Sequence, residues 1–78
     1  MIIKILGSGC ARCAMLEQHT REAVERLGID AEVIKVQEMA DIMGYGIMST
    51  PALVIDEEVR LAGRLPSVDE IVSLLSRA

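Results

Sequence analysis

Aromatic side chains are almost absent from this 78-residue chain, which has one Tyr, no Trp and no Phe. Their scarcity removes the stacking platforms of single-strand nucleic-acid binders and the cages that hold quaternary amines. A surplus of basic residues is missing too. Twelve Asp and Glu outnumber eight Lys and Arg, for a net charge of −4. Neutralising a phosphate backbone takes stripes of Lys and Arg, so no nucleic-acid partner is expected. No apolar run reaches the roughly 18 residues that cross a bilayer, so no membrane partner is expected either. Repeats, low-complexity tracts and linkers are also lacking, and the expectation is a single domain over residues 1–78. The 51% of hydrophobic residues is too high for a disordered chain.

Cysteine is limited to Cys10 and Cys13. A bridge between them would close a loop worth roughly 2 kcal/mol, against about 3 kcal/mol for a fifteen-residue loop in the chain-entropy model. A structural framework would set its cysteines far apart, so chemistry is the better reason for this local pair. The first residues, Met-Ile-Ile-Lys-Ile-Leu-Gly, have no basic leader region, and no small-residue cleavage site follows them. This predicts a cytoplasmic protein, and in a reducing compartment cysteines at this spacing point to redox or metal chemistry.

The apolar pattern divides the chain into seven elements. Ile2 to Leu6 is a β-branched run ended by Gly7-Ser8-Gly9, which predicts a strand buried on both faces. From Ala11 to Leu27, Cys13, Leu16, Thr20, Ala23, Val24 and Leu27 share one helical face, and Gly28 closes the helix. Ala31 to Val36 reads as a second strand, giving a βαβ unit with parallel strands. Gln37 to Met43 suits a short helix stopped by Gly44-Tyr45-Gly46. Ala52–Ile55 and Val59–Ala62 suit an antiparallel hairpin linked by Asp56-Glu57-Glu58. Ser67-Val-Asp-Glu70 has the form of a capping box and starts a last helix to about Ser76, with Val68, Ile71, Val72 and Leu75 facing inward. The predicted fold is α/β, in the order βαβαββα, with a four-stranded mixed sheet flanked by helices.

The cysteines fall where the first strand meets the first helix. Free N–H groups and the helix dipole at that junction favour a thiolate on Cys10, and Arg12 adds a cation between the two sulfurs. Cys13 lies one turn inward, on the flank of the buried stripe. The expected division is Cys10 as exposed nucleophile and Cys13 as sheltered resolving thiol. The plainer alternative is two small apolar side chains that happen to be cysteines. Further along, Pro51 directly precedes an apolar strand and can begin it without removing an interior ladder bond.

With these motifs in this order, the chain resembles the small thioredoxin-like redox-active disulfide proteins of prokaryotes, a glutaredoxin-sized branch of the thioredoxin superfamily. The stretches that carry the likeness are ILGSGCARC, LGIDAEVIKV, GIMSTPALVID and AGRLPSVDEI, together nearly the whole chain. The resemblance implies that Cys10 and Cys13 form the redox disulfide. It also implies a cis Thr50–Pro51 bond beside them, with the Thr50 backbone pairing with substrate. Its implied activity is thiol–disulfide exchange with a protein or small-molecule disulfide, fed by an unidentified reductase, in a monomer without cofactor or metal. Two features of thioredoxin itself are absent here: Gly9 replaces the Trp before the first cysteine, and the first strand carries no acidic residue.

A second reading makes the two thiolates a site for a soft metal ion. Heavy-metal-binding domains of this size also place CxxC after their first strand, but in the order βαββαβ. A structural Zn²⁺ needs four ligands, more than two cysteines and His19 can supply. A third reading is a non-catalytic partner module. His19 lies nine residues past Cys10, roughly 13 Å along a helix, and reads as a boundary residue. Met1, Met15, Met39, Met43 and Met48 are expected to fill gaps in the core, with Met48 near enough to the proline to line the site. Tyr45 is expected to pack over an edge, and Glu57-Glu58 to form a solvated turn. Gly7-Ser8-Gly9 resembles a phosphate loop but lacks the Lys-Ser/Thr that such a loop requires.

Overall fold

The computed structural model describes residues 1–9 and 11–77. Its elements follow in the order β1 (Ile2–Leu6), α1 (Ala11–Leu27), β2 (Glu32–Val36), α2 (Met39–Gly44), β3 (Ala52–Ile55), β4 (Glu58–Ala62) and α3 (Val68–Ser76). They build one sheet in the order β2-β1-β3-β4, with β1 parallel to β2 and antiparallel to β3. The predicted order and mixed sheet are therefore present, in an α/β, thioredoxin-like arrangement.

Strand β1 lies between two hydrogen-bonded partners, and helices pack on both faces of the sheet, so its side chains alternate between two cores. Ile3 and Ile5 join Leu53 and Ile55 of β3, Leu16 and Ala23 of α1, and Ile71 and Leu75 of α3. Leu6 joins Ala52, Val54 and Ile42 of α2 on the opposite face. Two helices thus cover one face and the short α2 covers the other. Thr20 is the buried polar residue of α1, and its hydroxyl donates to the Leu16 carbonyl at 2.7 Å. Gly28, at φ 62°, closes α1 in the left-handed conformation that the sequence called for. Boundaries shift by a residue or two: β2 starts one residue late, and α2 starts two residues late, because Glu38 keeps an extended backbone at φ −70°, ψ 124°, and α2 runs on through Gly44.

The methionine expectation fails. All five methionines are exposed, from Met1 at 38% to Met48 at 100%. The reason is geometric. Branched Ile, Leu and Val fill both sheet faces, and six-residue α2 turns only Ile42 into the core, leaving Met39 and Met43 on its flanks. The capping box also forms only in part. Ser67 Oγ accepts the Glu70 N–H at 3.1 Å, but the Glu70 carboxylate pairs with Arg64 instead of returning to the Ser67 backbone.

The hairpin differs as well. Its turn is two residues, not three, with Asp56 and Glu57 both left-handed at φ 49° and 67°, and Glu58 belongs to β4. Two-residue turns of this kind match the twist of the strands, yet normally favour Asn-Gly. Tertiary contacts hold this one. Ile2 N donates to Asp56 Oδ1 at 2.8 Å, and Asp56 N donates to Ile2 O at 2.8 Å. Lys4 Nζ sits 2.6 Å from Glu57 Oε1 and donates to Tyr45 Oη at 2.9 Å, while Tyr45 Oη donates to Glu57 at 3.0 Å. Glu57 is therefore a paired clamp residue rather than a merely solvated one. Tyr45 does pack against the α2-side core, and its hydroxyl joins helix, strand and turn.

Hydrogen bonds from Lys4 and then Tyr45 hold the Glu57 carboxyl below its ordinary range. Stability from this group is present above the ordinary carboxylate range and is lost as pH falls through the lowered value. Glu57→Gln should accordingly lower the melting temperature at neutral pH, with the gap to wild type closing on acidification. Thermal unfolding followed by circular dichroism across that range checks it, and a pH-independent gap would contradict it.

Candidate active site

Strand β1 ends at Leu6, which lies opposite Ala52, the first residue of β3. The carboxyl ends of β1 and β2 and the amino end of β3 therefore share one edge of the sheet, where clefts form in open α/β folds. Gly7 N donates to Val36 O at 3.0 Å and extends the β1–β2 pairing one residue beyond the strand. Two residues later the chain turns at Gly9, φ 86°, and α1 begins at Ala11. This turn brings the helix back over the strand it has just left.

Cys13 is only 6% exposed, on the inner face of the first turn of α1. Its sulfur packs directly on the backbone of Gly7. A Cβ added at Gly7 would fall far inside van der Waals contact with Cys13 Sγ and 3.1 Å from its Cβ. Glycine stands there because no side chain fits between strand and helix, a function that the phosphate-loop comparison did not suggest. Cys10 lies outside the described residues; in the chain it immediately precedes Ala11. Arg12 is exposed.

The Thr50–Pro51 peptide is cis. Pro51 is buried and Thr50 exposed, at the amino end of β3 and hence at the same sheet edge as Gly7. The loop is held from the other side by Gly63, whose N–H donates to Pro51 O at 2.9 Å. Gly63 has φ 85°, and a Cβ there would approach Ser49 Cβ to 3.1 Å. Gly63 is a second positioning glycine that the sequence reading missed, because only the fold brings the end of β4 beside the proline. Met48 lines an apolar cleft with Met39, Ile42, Met43 and Thr50, separate from the cleft that Cys13 lines. His19 is turned away to another task. Its Nδ1 donates to Pro66 O at 2.9 Å, tying α1 to the segment that leads into α3.

Cys13 in the first turn of a helix, with a second cysteine three residues before it in the chain and a cis-proline at the same sheet edge, is the arrangement of a thiol–disulfide oxidoreductase of the thioredoxin-like class. Comparison with known proteins agrees. A family model described as a thioredoxin domain matches residues 1–76. The thioredoxin of Methanothermobacter thermautotrophicus is 49% identical over 76 residues, covering 97% of this chain and 99% of the relative. The thioredoxin of Methanocaldococcus jannaschii is 38% identical over 71 residues, covering 91% of this chain and 81% of the relative. The chain belongs to the thioredoxin-domain family, and its class of activity is thiol–disulfide exchange.

Gly7→Ala tests the close approach. Overpacking of this kind typically costs about 1–3 kcal/mol, and here it must move either Cys13 or the start of α1. Chemical denaturation should show a loss in that range, together with slower reduction of an insulin-type disulfide. Unchanged stability and rate would mean that the contact does not constrain the site.

Proposed function

We propose that the protein reduces and forms disulfides through Cys10 and Cys13, with Cys10 as nucleophile and Cys13 as resolving thiol. The Cys10 thiolate attacks one sulfur of a substrate disulfide, and the other substrate sulfur leaves as a thiolate. Cys13, as thiolate, then attacks Cys10 Sγ, releasing the second substrate thiolate and leaving the Cys10–Cys13 disulfide. Two electrons pass from the thiol pair to the substrate, and an as yet unidentified reductase returns them. The observation that carries this assignment is the burial of Cys13 against Gly7 at the helix start, which shields it from an incoming protein, three residues after Cys10 in the chain.

Thr50 and Pro51 form the substrate side of the site. Support comes from their place at the same sheet edge, where the exposed Thr50 backbone offers pairing groups to an extended segment. Residues 1–78 act as a single thioredoxin-like domain, a reading supported by a family match over nearly that whole length. The working form is a monomer, since both thiols of the exchange come from one chain. A reducing cytoplasm is the compartment in which such a pair would cycle. No helix among the described residues is long and apolar enough to cross a membrane. The soft-metal reading has less to stand on. The helix α2 between β2 and β3 gives the order βαβαββα rather than that of the heavy-metal domains.

Limiting iodoacetamide at mildly acidic pH, followed by peptide mapping, tests the roles. Cys10 should be labelled well ahead of Cys13. Cys13→Ser should accumulate mixed disulfides through Cys10, and Cys10→Ser should be inert. Equal labelling, or Cys13 first, would overturn the assignment. Tight binding of copper(I) by the monomer with no disulfide exchange would replace it by metal binding.

A further inference from the structure

The thiolate is the attacking species in disulfide exchange, so Cys13 must lose a proton before it can resolve the mixed disulfide. A charged form is disfavoured away from water, and a buried thiol therefore needs an acceptor within reach. The first strand offers no carboxylate for this purpose, since its sequence is Ile-Ile-Lys-Ile-Leu and Lys4 faces the opposite core.

A cleft of about 240 Å³ opens beside Cys13 on the α1 side of the sheet. Cys13, Glu17, Lys35 and Gln37 line it along with the Gly7 backbone. A water occupies roughly 30 Å³ in the liquid, so the cleft has room for several. Glu17 is its only carboxylate among the described residues. Cys13 and Glu17 are four apart on α1, and side chains at that spacing are neighbours on one helix face, about 5–6 Å between Cβ atoms. Two cations hold the Glu17 carboxylate in place. Arg21 donates to Oε2 from Nε at 3.0 Å and lies 2.9 Å away through its terminal nitrogen, while Lys35 of β2 stands 3.7 Å from Oε1. The Glu17 side chain is accordingly only 20% exposed, whereas Arg21 and Lys35 are more than half exposed. The charged and titratable groups facing Glu17 are therefore Cys13 and Arg21 on its own helix and Lys35 on the neighbouring strand.

We propose that Glu17 accepts the Cys13 proton through water in this cleft, with Lys35 and Arg21 positioning its carboxylate. The proposal rests on the reading of Cys13 as the resolving thiol. In the resolving step the Cys13 S–H proton passes to Glu17 and the Cys13 thiolate attacks Cys10 Sγ. The Cys10–substrate bond breaks as the Cys10–Cys13 bond forms. The departing substrate thiolate takes up a proton from the Glu17 carboxylic acid or from solvent. In the reverse reaction, protonated Glu17 returns the proton to Cys13 as its sulfur leaves.

The full-length reduced protein mixed with 5,5′-dithiobis(2-nitrobenzoic acid) separates the two steps. Attack by Cys10 releases one nitrothiobenzoate, and resolution by Cys13 releases the second. Stopped-flow absorbance over a range of pH should show the first phase of Glu17→Gln unchanged and its second phase slowed about tenfold or more at neutral pH. The deficit should shrink as pH rises and solvent takes over as acceptor, and Glu17→Asp should recover part of the rate. An unaltered second phase would reduce Glu17 to a surface ion pair. Slowing by the same factor at every pH, with a lowered melting temperature, would assign it a purely structural role; either result overturns the proposal. Release of the second nitrothiobenzoate by Cys13→Ser would instead refute the resolving role of Cys13 itself.

Discussion

The contact between the Cys13 sulfur and the Gly7 backbone sets the geometry of the working end of the molecule. It brings the first turn of α1 onto the end of β1 at a separation that only glycine permits. From that point the buried stripe of α1 runs through Leu16, Thr20 and Ala23 along the sheet. The same contact keeps the inner thiol out of solvent and leaves a cleft beside it as the described opening to water. In the proposed function, reactivity and packing therefore share one constraint, because the resolving thiol is also a core residue of its helix.

The two faces of the sheet divide the labour. On the α1–α3 face, apolar packing is continuous, and polar groups appear where the cleft reaches Cys13. On the α2 face the cover is thin, with Ile42 as the buried residue of the helix. There the ionic and hydrogen-bonded cluster of Lys4, Tyr45 and Glu57 joins strand, helix end and hairpin turn. The ammonium of Lys4 is held above its ordinary range by Glu57 and Tyr45, so the cation inside an otherwise apolar strand stays charged and paired. Met39, Met43 and Met48 flank this thin cover. Flexible and unbranched, they leave an apolar but deformable surface beside Thr50, where rigid Ile and Leu would be expected in a core.

The glycines at the site act in two distinct ways. Gly7 is needed for space, since its backbone angles suit any residue but its missing side chain admits a sulfur. Gly63 is needed for conformation and for space together, and its N–H carries the Pro51 carbonyl. Neither role shows in the local sequence, where one glycine looks like part of a phosphate loop and the other like the end of a strand.

Local chemistry was enough to read most of the fold. The continuous apolar run Ala52–Ile55, the 3.6-residue stripe from Cys13 to Leu27, Gly28 as a stop and Ser67 as a cap each act within a few residues, so the elements and their order could be written from the chain alone. The proposed redox pair is legible for the same reason: two cysteines three residues apart, where a strand gives way to a helix, carry their chemistry in their spacing. What the tertiary structure decided are the contacts between residues far apart in sequence. The β1–β3 pairing places Pro51 and Gly63 at the cysteine edge, and the β1–β2 pairing carries Lys35 to Glu17. The hairpin turn at Asp56-Glu57 holds a left-handed backbone because Ile2, Lys4 and Tyr45 reach it from elsewhere. The methionines are exposed because branched side chains had already filled both faces. Periodicity states which side of an element faces inward. Which partner meets it there depends on strand order and register, and these are set by the assembled sheet.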